Sequence, residues 1–361
     1  MNAKVLTNSE KDMNLWRDYY LHLPYKAVYH SPDYLRVLEG HFGETRELFI
    51  YERENDYIYY PYLKKRISEL PFAKSASINL KNYWDINSSW YYGGPLASSK
   101  TAKENMFLEF KKSFREYAYQ NNIVSEFIRF DANLKNYLYY LPELIEFNRE
   151  TVFVDLKKDL HEIWSDFTSA NRRAIRKSQK SEYQINIVEK DDVERWKEFC
   201  NIYNSEMRRK DAPQHLYFEE SFFFSLKNKM SGNVKLLTVE KQGELCGGFI
   251  IIFDDYFAFH FLSASLPKYW PDRINNLLFY EAILWAKDNG CTIFDFMGGR
   301  AGVFRFKTNF SSSRRKFYTY RSVHNKEIYN KLAKLYRQFF KLEKTHDINY
   351  FPFYRYKIKN I

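Results

Sequence analysis

The sequence predicts a mixed α/β (α+β) protein built from two domains. Three observations lead there. Apolar runs with strand-like alternation are separated by stretches of helical periodicity along the chain. The 361 residues exceed what one hydrophobic core usually organises. Residues 131–150 carry no clear periodicity, which places a junction near Glu150. The expected units are 1–150 and 151–325, followed by residues 326–361 as a basic helix and tail.

In the first unit, Ser9 to about His22 reads as a helix, with Asn8 and Ser9 available as caps. Ser31-Pro32-Asp33 starts a second, with proline where a missing N–H does no harm. Glu47–Tyr51 and Tyr57–Leu63 pair as a hairpin across Glu54-Asn55-Asp56. Ser88–Tyr92 reads as a strand stopped by Gly93-Gly94-Pro95. Thr101–Gln120 is helical, with Phe107, Phe110 and Phe114 on one side, and Ile123–Phe130 returns as a strand.

The second unit opens with a strand, Thr151–Leu156, and a helix over 159–180. That helix turns Ile163, Phe167, Ala170 and Ala174 inward, and Arg173, Arg176 or Lys177, and Lys180 form a basic stripe. Tyr183–Val188 is a strand, while Asp191–Met207 and Glu219–Lys227 are helices. Leu245–Phe253 and Tyr256–Leu262 are paired strands feeding a helix from about Asn275 to Asp288. Gly290 caps that helix, Cys291–Met297 is a buried strand, and Gly298-Gly299 break it ahead of a basic, aromatic return. A last helix runs from Lys326 to about Lys344, with Ile328, Leu332, Leu335 and Phe339 on one face. From Lys326 onward nine Lys/Arg stand against three Asp/Glu. Such a helix either packs on its own domain or makes peripheral contact with an anionic membrane face.

Composition narrows the function classes. Net charge is +11, which permits attraction to phosphates, nucleic acid or an anionic membrane without establishing any. The 31 Tyr and 32 Phe supply core volume and amphipathic surface, and are equally what an A/T-rich codon bias produces. Cys200, Cys246 and Cys291 are isolated, with no CxxC pair and no disulfide framework. The first residues lack the apolar run of a secretory signal, and no apolar stretch is long enough to span a membrane. A reduced, cytoplasmic enzyme is the expectation. The eight histidines show neither HxH nor HExxH spacing, so no metal is expected. No Gly-x-Ser-x-Gly elbow, Cys/His nucleophile or P-loop is present.

Short segments in order carry a resemblance: GGFIIIF, HFLSAS, NNLLFYEAILWAKDNG, FDFMGG, FRFKTNF and, upstream, NRRAIRKS with YNSEMRR. Together they resemble the second domain of the Fem-type peptidyltransferases, which belong to the GNAT acyltransferase superfamily. HSPDYLRVL and YYGGPL extend the likeness into the first half, so it covers most of residues 27–322. It implies two tandem GNAT-like domains with a cleft between them. It also implies aminoacyl transfer to an amine of a cell-envelope precursor, nucleotide- or lipid-linked, with aminoacyl-tRNA as donor substrate and no bound cofactor. Peptidoglycan bridge formation is the family's reaction.

The resemblance also assigns residues. Lys307, in FRFKTNF beside Phe306, is implied to lie at the acyl-transfer centre and to stabilise the tetrahedral oxyanion. A fixed cation aimed at developing charge in a dry site is a large catalytic contribution; a solvated lysine is the plain alternative. Arg208 matches an arginine that holds substrate phosphates, and Arg209 and Lys210 leave its register open. Arg36 falls near a basic residue used for a nucleotide pyrophosphate. Tyr92 and His260 join them as substrate-lining candidates. Asp295, in FDF, either serves an amine as orienter or base or caps the glycine turn after it.

Where ordinary GNAT enzymes carry a glycine-containing pyrophosphate loop, this chain has RINNLL, and its GGRAG run follows the next strand instead. The resemblance implies this loss, since the donor of Fem-type enzymes is an aminoacyl-tRNA. Two departures from the family are visible: Ser98 stands where Fem enzymes often place an acid, and the long helical arm inserted in some members is absent. Two other readings stay open. One is acyl-CoA-dependent N-acylation of a nucleotide-linked or polymeric amino sugar. The other is a non-catalytic RNA-binding protein.

Overall fold

The computed structural model describes residues 2–75, 79–99, 104–342 and 349–358. Its chain divides into two units, Met1–Asn148 with Phe317–Ile361, and Arg149–Lys316.

The first unit begins with β1 (Ala3–Leu6), α1 (Glu10–Leu21) and α2 (Pro32–Phe42). Ser9 and Ser31 cap the two helices, each accepting a backbone N–H at 3.2 Å. There follow β2 (Thr45–Arg53), β3 (Asp56–Arg66), β4 (Trp84–Asn87), β5 (Leu96–Ala97), α3 (Glu104–Gln120) and β6 (Ile123–Arg129). β2 and β3 form the expected hairpin, and β4 lies parallel to β6 across the α3 crossover. Phe49 and Tyr60 of the hairpin pack edge-on against Phe114 of α3 at 5.1 and 5.0 Å, the centre of this unit's core. One expected strand is displaced. Ser88–Tyr92 is a loop, because Ser88 Oγ accepts the Arg129 N–H at 2.9 Å and Tyr91 takes a left-handed φ of 80°.

The second unit runs β7 (Ile145–Asp155), α4 (Leu160–Asp166), α5 (Ser169–Gln179), β8 (Gln184–Val188), α6 (Val193–Arg209) and α7 (Glu220–Lys229). β9 (Val234–Lys241), β10 (Glu244–Phe253), β11 (Phe257–Ser265), α8 (Ile274–Asp288), β12 (Ile293–Met297) and α9 (Ala301–Lys307) complete it. The helix expected over 159–180 is two. Phe167 leaves helical geometry at ψ 144°, and Thr168 starts a new helix by accepting the Asn171 N–H. The basic, aromatic return is helical as far as Lys307.

The chain then re-enters the first unit with β13 (Arg314–Val323) and α10 (Lys326–Phe339). β13 pairs with β6, and α10 buries Ile328, Leu332 and Tyr336 against Ile67, Phe72, Leu80 and Val124. Residues from Phe317 onward therefore belong to the first unit, and 326–361 is no separate segment. Phe339, expected on the packed face, is exposed. The expected helix ends at 101–103 and 343–344 lie outside the described residues.

The two units repeat one plan. A strand, two helices, three strands, a crossover helix and a parallel strand give the strand order β1-β2-β3-β4-β6 in the first unit and β8-β9-β10-β11-β12 in the second. Each run is extended by the strand that follows the other copy in sequence: β13 beside β6, and β7 beside β12. This is a mixed α/β tandem fold.

Candidate active site

In the second unit, the parallel pair β11–β12 is registered only from Phe257–Phe259 against Ile293–Asp295. Beyond that point β11 stays paired with β10 as far as Ser265. β12 instead turns away, with Met297 at φ 62° and a register shift on β7 after Asp295. Asp295 makes this turn: its Oδ1 accepts the Met297 N–H at 2.6 Å, and the residue is fully buried. That bond is of the kind its turn-capping reading expects. Gly299 follows at φ 154°, where a Cβ would sit 3.0 Å from Val303, so only glycine fits the entry to α9 without strain.

α9 then brings Lys307 back beneath the departing strand. Its Nζ donates to the carbonyl oxygens of Phe296 and of Gly298, the latter at 2.6 Å, and the side chain is 3% exposed. These bonds use two of the ammonium's three N–H groups. Around it is an aromatic enclosure. Phe279 of α8 lies 5.0 Å from Phe306, 5.7 Å from Phe296 and 5.6 Å from Phe310. Burial pushes the Lys307 pKa down to about 7, against the pull of the Asp295 carboxylate. Both protonation states are therefore populated near neutral pH.

His260 is on the β11 side of the opening. Its ring packs 4.6 Å from Phe249 and 4.9 Å from Phe279, and its Nε2 lies 2.9 Å from Ser263 Oγ. Burial, with the Lys307 charge adding to it, holds its imidazole well below the usual range. His260 is a neutral hydrogen-bonding group here. A deprotonatable cation in an apolar box, next to a strand gap, can stabilise an oxyanion or exchange a proton with an amine.

The remaining candidates separate. Arg208 and Arg209 end α6 in the second unit. Arg209 is engaged: it bonds Glu206 through Nε and Nη2, both at 2.9 Å, and stacks over Trp270 at 4.5 Å. Lys210 shares the same carboxylate at 2.7 Å. Arg208 is exposed and, among the described residues, forms no ion pair. Arg36 and Tyr92 lie in the first unit, Arg36 exposed on α2, Tyr92 buried against Tyr29 and Phe317.

Sequence reasoning passed over Asn309, whose main-chain O accepts the Thr168 N–H at 3.0 Å and an Asn171 Nδ2–H at 3.2 Å. Asn171 Oδ1 in turn accepts from Asn276 of α8 at 2.7 Å. This asparagine ladder ties the segment after Lys307 to α5 and α8. Two of its members stood in NRRAIRKS and FRFKTNF, so the signal was within the motifs.

Residues 165–308 match the family model described as the acetyltransferase (GNAT) domain, so the match ends one residue past Lys307. No curated protein matches the sequence. Among solved structures, FemX superposes with a TM-score of 0.67 at 13% identity, covering 91% of this chain and 99% of its own. A conserved protein of unknown function from Bacteroides thetaiotaomicron gives 0.58 at 8% identity, covering 87% and 98%. The C-terminal domain of a candidate lysylphosphatidylglycerol synthetase from Agrobacterium fabrum gives 0.53 at 12%, covering 91% and 96%. At these identities the likeness is one of fold.

Proposed function

We propose that this chain, a GNAT acyltransferase with a Fem-like fold, moves an aminoacyl group from aminoacyl-tRNA to an amine of a cell-envelope precursor. The observation that carries the reading is Lys307, buried at the end of the matched GNAT segment with two carbonyl acceptors and an aromatic wall. In the proposed step the acceptor amine attacks the ester carbonyl, and negative charge grows on the carbonyl oxygen. Lys307, in its cationic form, stabilises that charge through the N–H not bonded to Phe296 or Gly298. Collapse of the intermediate forms the amide and expels the tRNA hydroxyl, with the amine's proton passing to the leaving oxygen. Positioning and electrostatics carry this chemistry, with no acyl-enzyme intermediate.

For the donor, the β11–α8 connection favours aminoacyl-tRNA over acyl-CoA. It contains no glycine from Leu266 to Asn276, and Arg273 enters α8 in a left-handed conformation without a side-chain cap. A pyrophosphate bound by main-chain amides needs that turn open and close to the ligand. For the acceptor, Arg208 is the residue proposed to hold a phosphate or diphosphate, because Arg209 is committed to Glu206 and Trp270. Among the described residues no helix is long and apolar enough to cross a membrane. α10 packs its apolar face on its own unit, so contact with a lipid-linked acceptor at the membrane face would fall to exposed cations.

The test is donor choice. The protein is incubated with radiolabelled aminoacyl-tRNA or with acyl-CoA, against nucleotide-linked and lipid-linked envelope precursors. Label should move from aminoacyl-tRNA to an acceptor amine. Transfer from acyl-CoA alone would replace the reading by CoA-dependent N-acylation.

A further inference from the structure

α5 is a helix with one strongly charged face. Between Thr168 and Ser181 there are five cations, Arg172, Arg173, Arg176, Lys177 and Lys180, and no acidic residue. At 3.6 residues per turn these five fall within an arc of about 140°. The opposite side is the buried one, formed by Asn171, Ile175 and Ser178. Arg173, Arg176, Lys177 and Lys180 are exposed, and none of the five is in an ion pair among the described residues. Of the flanking acids, Asp166 is occupied by Lys158 at 2.5 Å, and Glu182, two residues past Lys180, is exposed beyond the end of the helix.

Helix stability accounts for only part of this pattern. Arg176, Lys177 and Lys180 stand at the C-terminal end, where the dipole favours cations, and Arg172 and Lys177 each donate to main-chain carbonyls. Against that, Arg172/Arg176, Arg173/Lys177 and Arg176/Lys180 are like-charge pairs at i,i+4, which repel, and Arg173 has no such partner among the described residues and stands in the N-terminal half. The placement is equally specific. The start of α5 is bonded to Asn309, two residues after Lys307, through Thr168 and Asn171. From there the helix runs 11 residues, about 16 Å, away from the acyl-transfer lysine. That is the axial length of four to five phosphates of a stacked strand, at about 3.4 Å each. Arg176 additionally lies over Trp164 at 5.4 Å, which fixes its guanidinium on the exposed side.

We infer that the cationic face of α5 is the track for the RNA of the donor, holding the phosphates of its acceptor strand while the 3′ ester reaches Lys307. This rests on the aminoacyl-tRNA reading above. Phosphate contacts of this kind fix register without reading sequence, so the face would accept different tRNAs and leave amino-acid choice to the pocket.

The experiment measures binding of unacylated tRNA and of an acceptor-stem minihelix to the full chain, by fluorescence anisotropy over a salt series. The triple variant Arg173→Gln/Arg176→Gln/Lys180→Gln removes three exposed charges without touching Lys307 or the asparagine ladder. Its folding is checked by circular dichroism, and Arg173→Gln/Lys180→Gln serves if Arg176 proves necessary for folding. Affinity should drop about tenfold or more at low salt, and the slope of log K against log salt should shrink by about two. Lys307→Met should leave RNA affinity within about twofold to threefold. Wild-type binding with an unchanged slope in the charge variants would overturn the α5 assignment and leave the donor reading standing. A wild-type protein that binds neither RNA would overturn both. A variant that loses phosphatidylglycerol vesicles but keeps RNA would reassign the face to membrane.

Discussion

The ammonium of Lys307 donates to the carbonyl oxygen of Gly298 at 2.6 Å, so the lysine and the glycine turn before its helix form one closed unit. The bonds on the amine go to main-chain carbonyls. Burial depresses its pKa, to about 7 from an ordinary value of 10.5, against the pull of the Asp295 carboxylate.

This depression has a consequence for stability. Above pH 7 the folded protein releases the Lys307 proton, whereas the unfolded chain holds it up to about pH 10.4. The unfolded state thus binds more protons between those values, and stability rises with pH across that window. The contribution is on the order of 1 kcal/mol per pH unit. Denaturant unfolding at pH 7, 8 and 9 should show wild type gaining stability relative to Lys307→Met. Parallel pH profiles for the two proteins would mean that the amine is not buried as described.

Arg208 and Arg209 should part company on substitution. Arg208→Ala should weaken binding of a nucleotide-diphosphate acceptor by about 1.5–3 kcal/mol, the scale of one charge-assisted contact, and leave unfolding unchanged. Arg209→Ala should mainly alter stability, since Glu206 is 6% exposed and its carboxyl is held below its usual range despite burial by Arg209 and Lys210. Calorimetry with the nucleotide, beside a melting curve, separates them. Loss of nucleotide affinity in Arg209→Ala alone would move the phosphate role to that residue.

Leu332 of α10 is fully buried against the first unit. Leu332→Ala should cost about 2–5 kcal/mol by the removed contacts and the cavity left. A C-terminal helix that is a detachable tail would lose almost nothing, so the melting temperature decides.

Much of the second unit was legible from sequence, and the reasons are local. β10, β11, α8 and β12 carry long, consistent periodicities bounded by Asp254-Asp255, Pro271 and glycines, so their positions agree closely with the structure. β7 begins inside the stretch that looked unpatterned, because Glu146–Glu150 are all exposed and no residue alternates inward. β13 could not be assigned to the first unit from pattern at all: its partner β6 lies nearly two hundred residues earlier, a long-range pairing that leaves no local trace. The FRFK run alternates apolar and charged residues as a strand does, yet α9 is a helix. There Phe306 meets Phe279 edge-on, Phe310 just past the helix stacks on it, and Lys307 turns inward. For the site, the family motifs singled out Lys307, Asp295 and His260, and they contained the ladder's asparagines. The neutrality of His260, the aromatic wall and the bonds of the ladder depend on contacts between elements distant in sequence.

The central claim is that Lys307 acts on the transition state. Lys307→Met keeps much of the apolar stem and removes the charge, and single-turnover kinetics with bound aminoacyl-tRNA and acceptor isolates the chemical step. The rate should fall about 100-fold or more, the scale of losing one oxyanion donor, while both substrates bind nearly as before. A folded Met variant within about threefold of wild type would contradict the account, because so small a change, under 1 kcal/mol in the barrier, leaves no oxyanion contact for Lys307 to make.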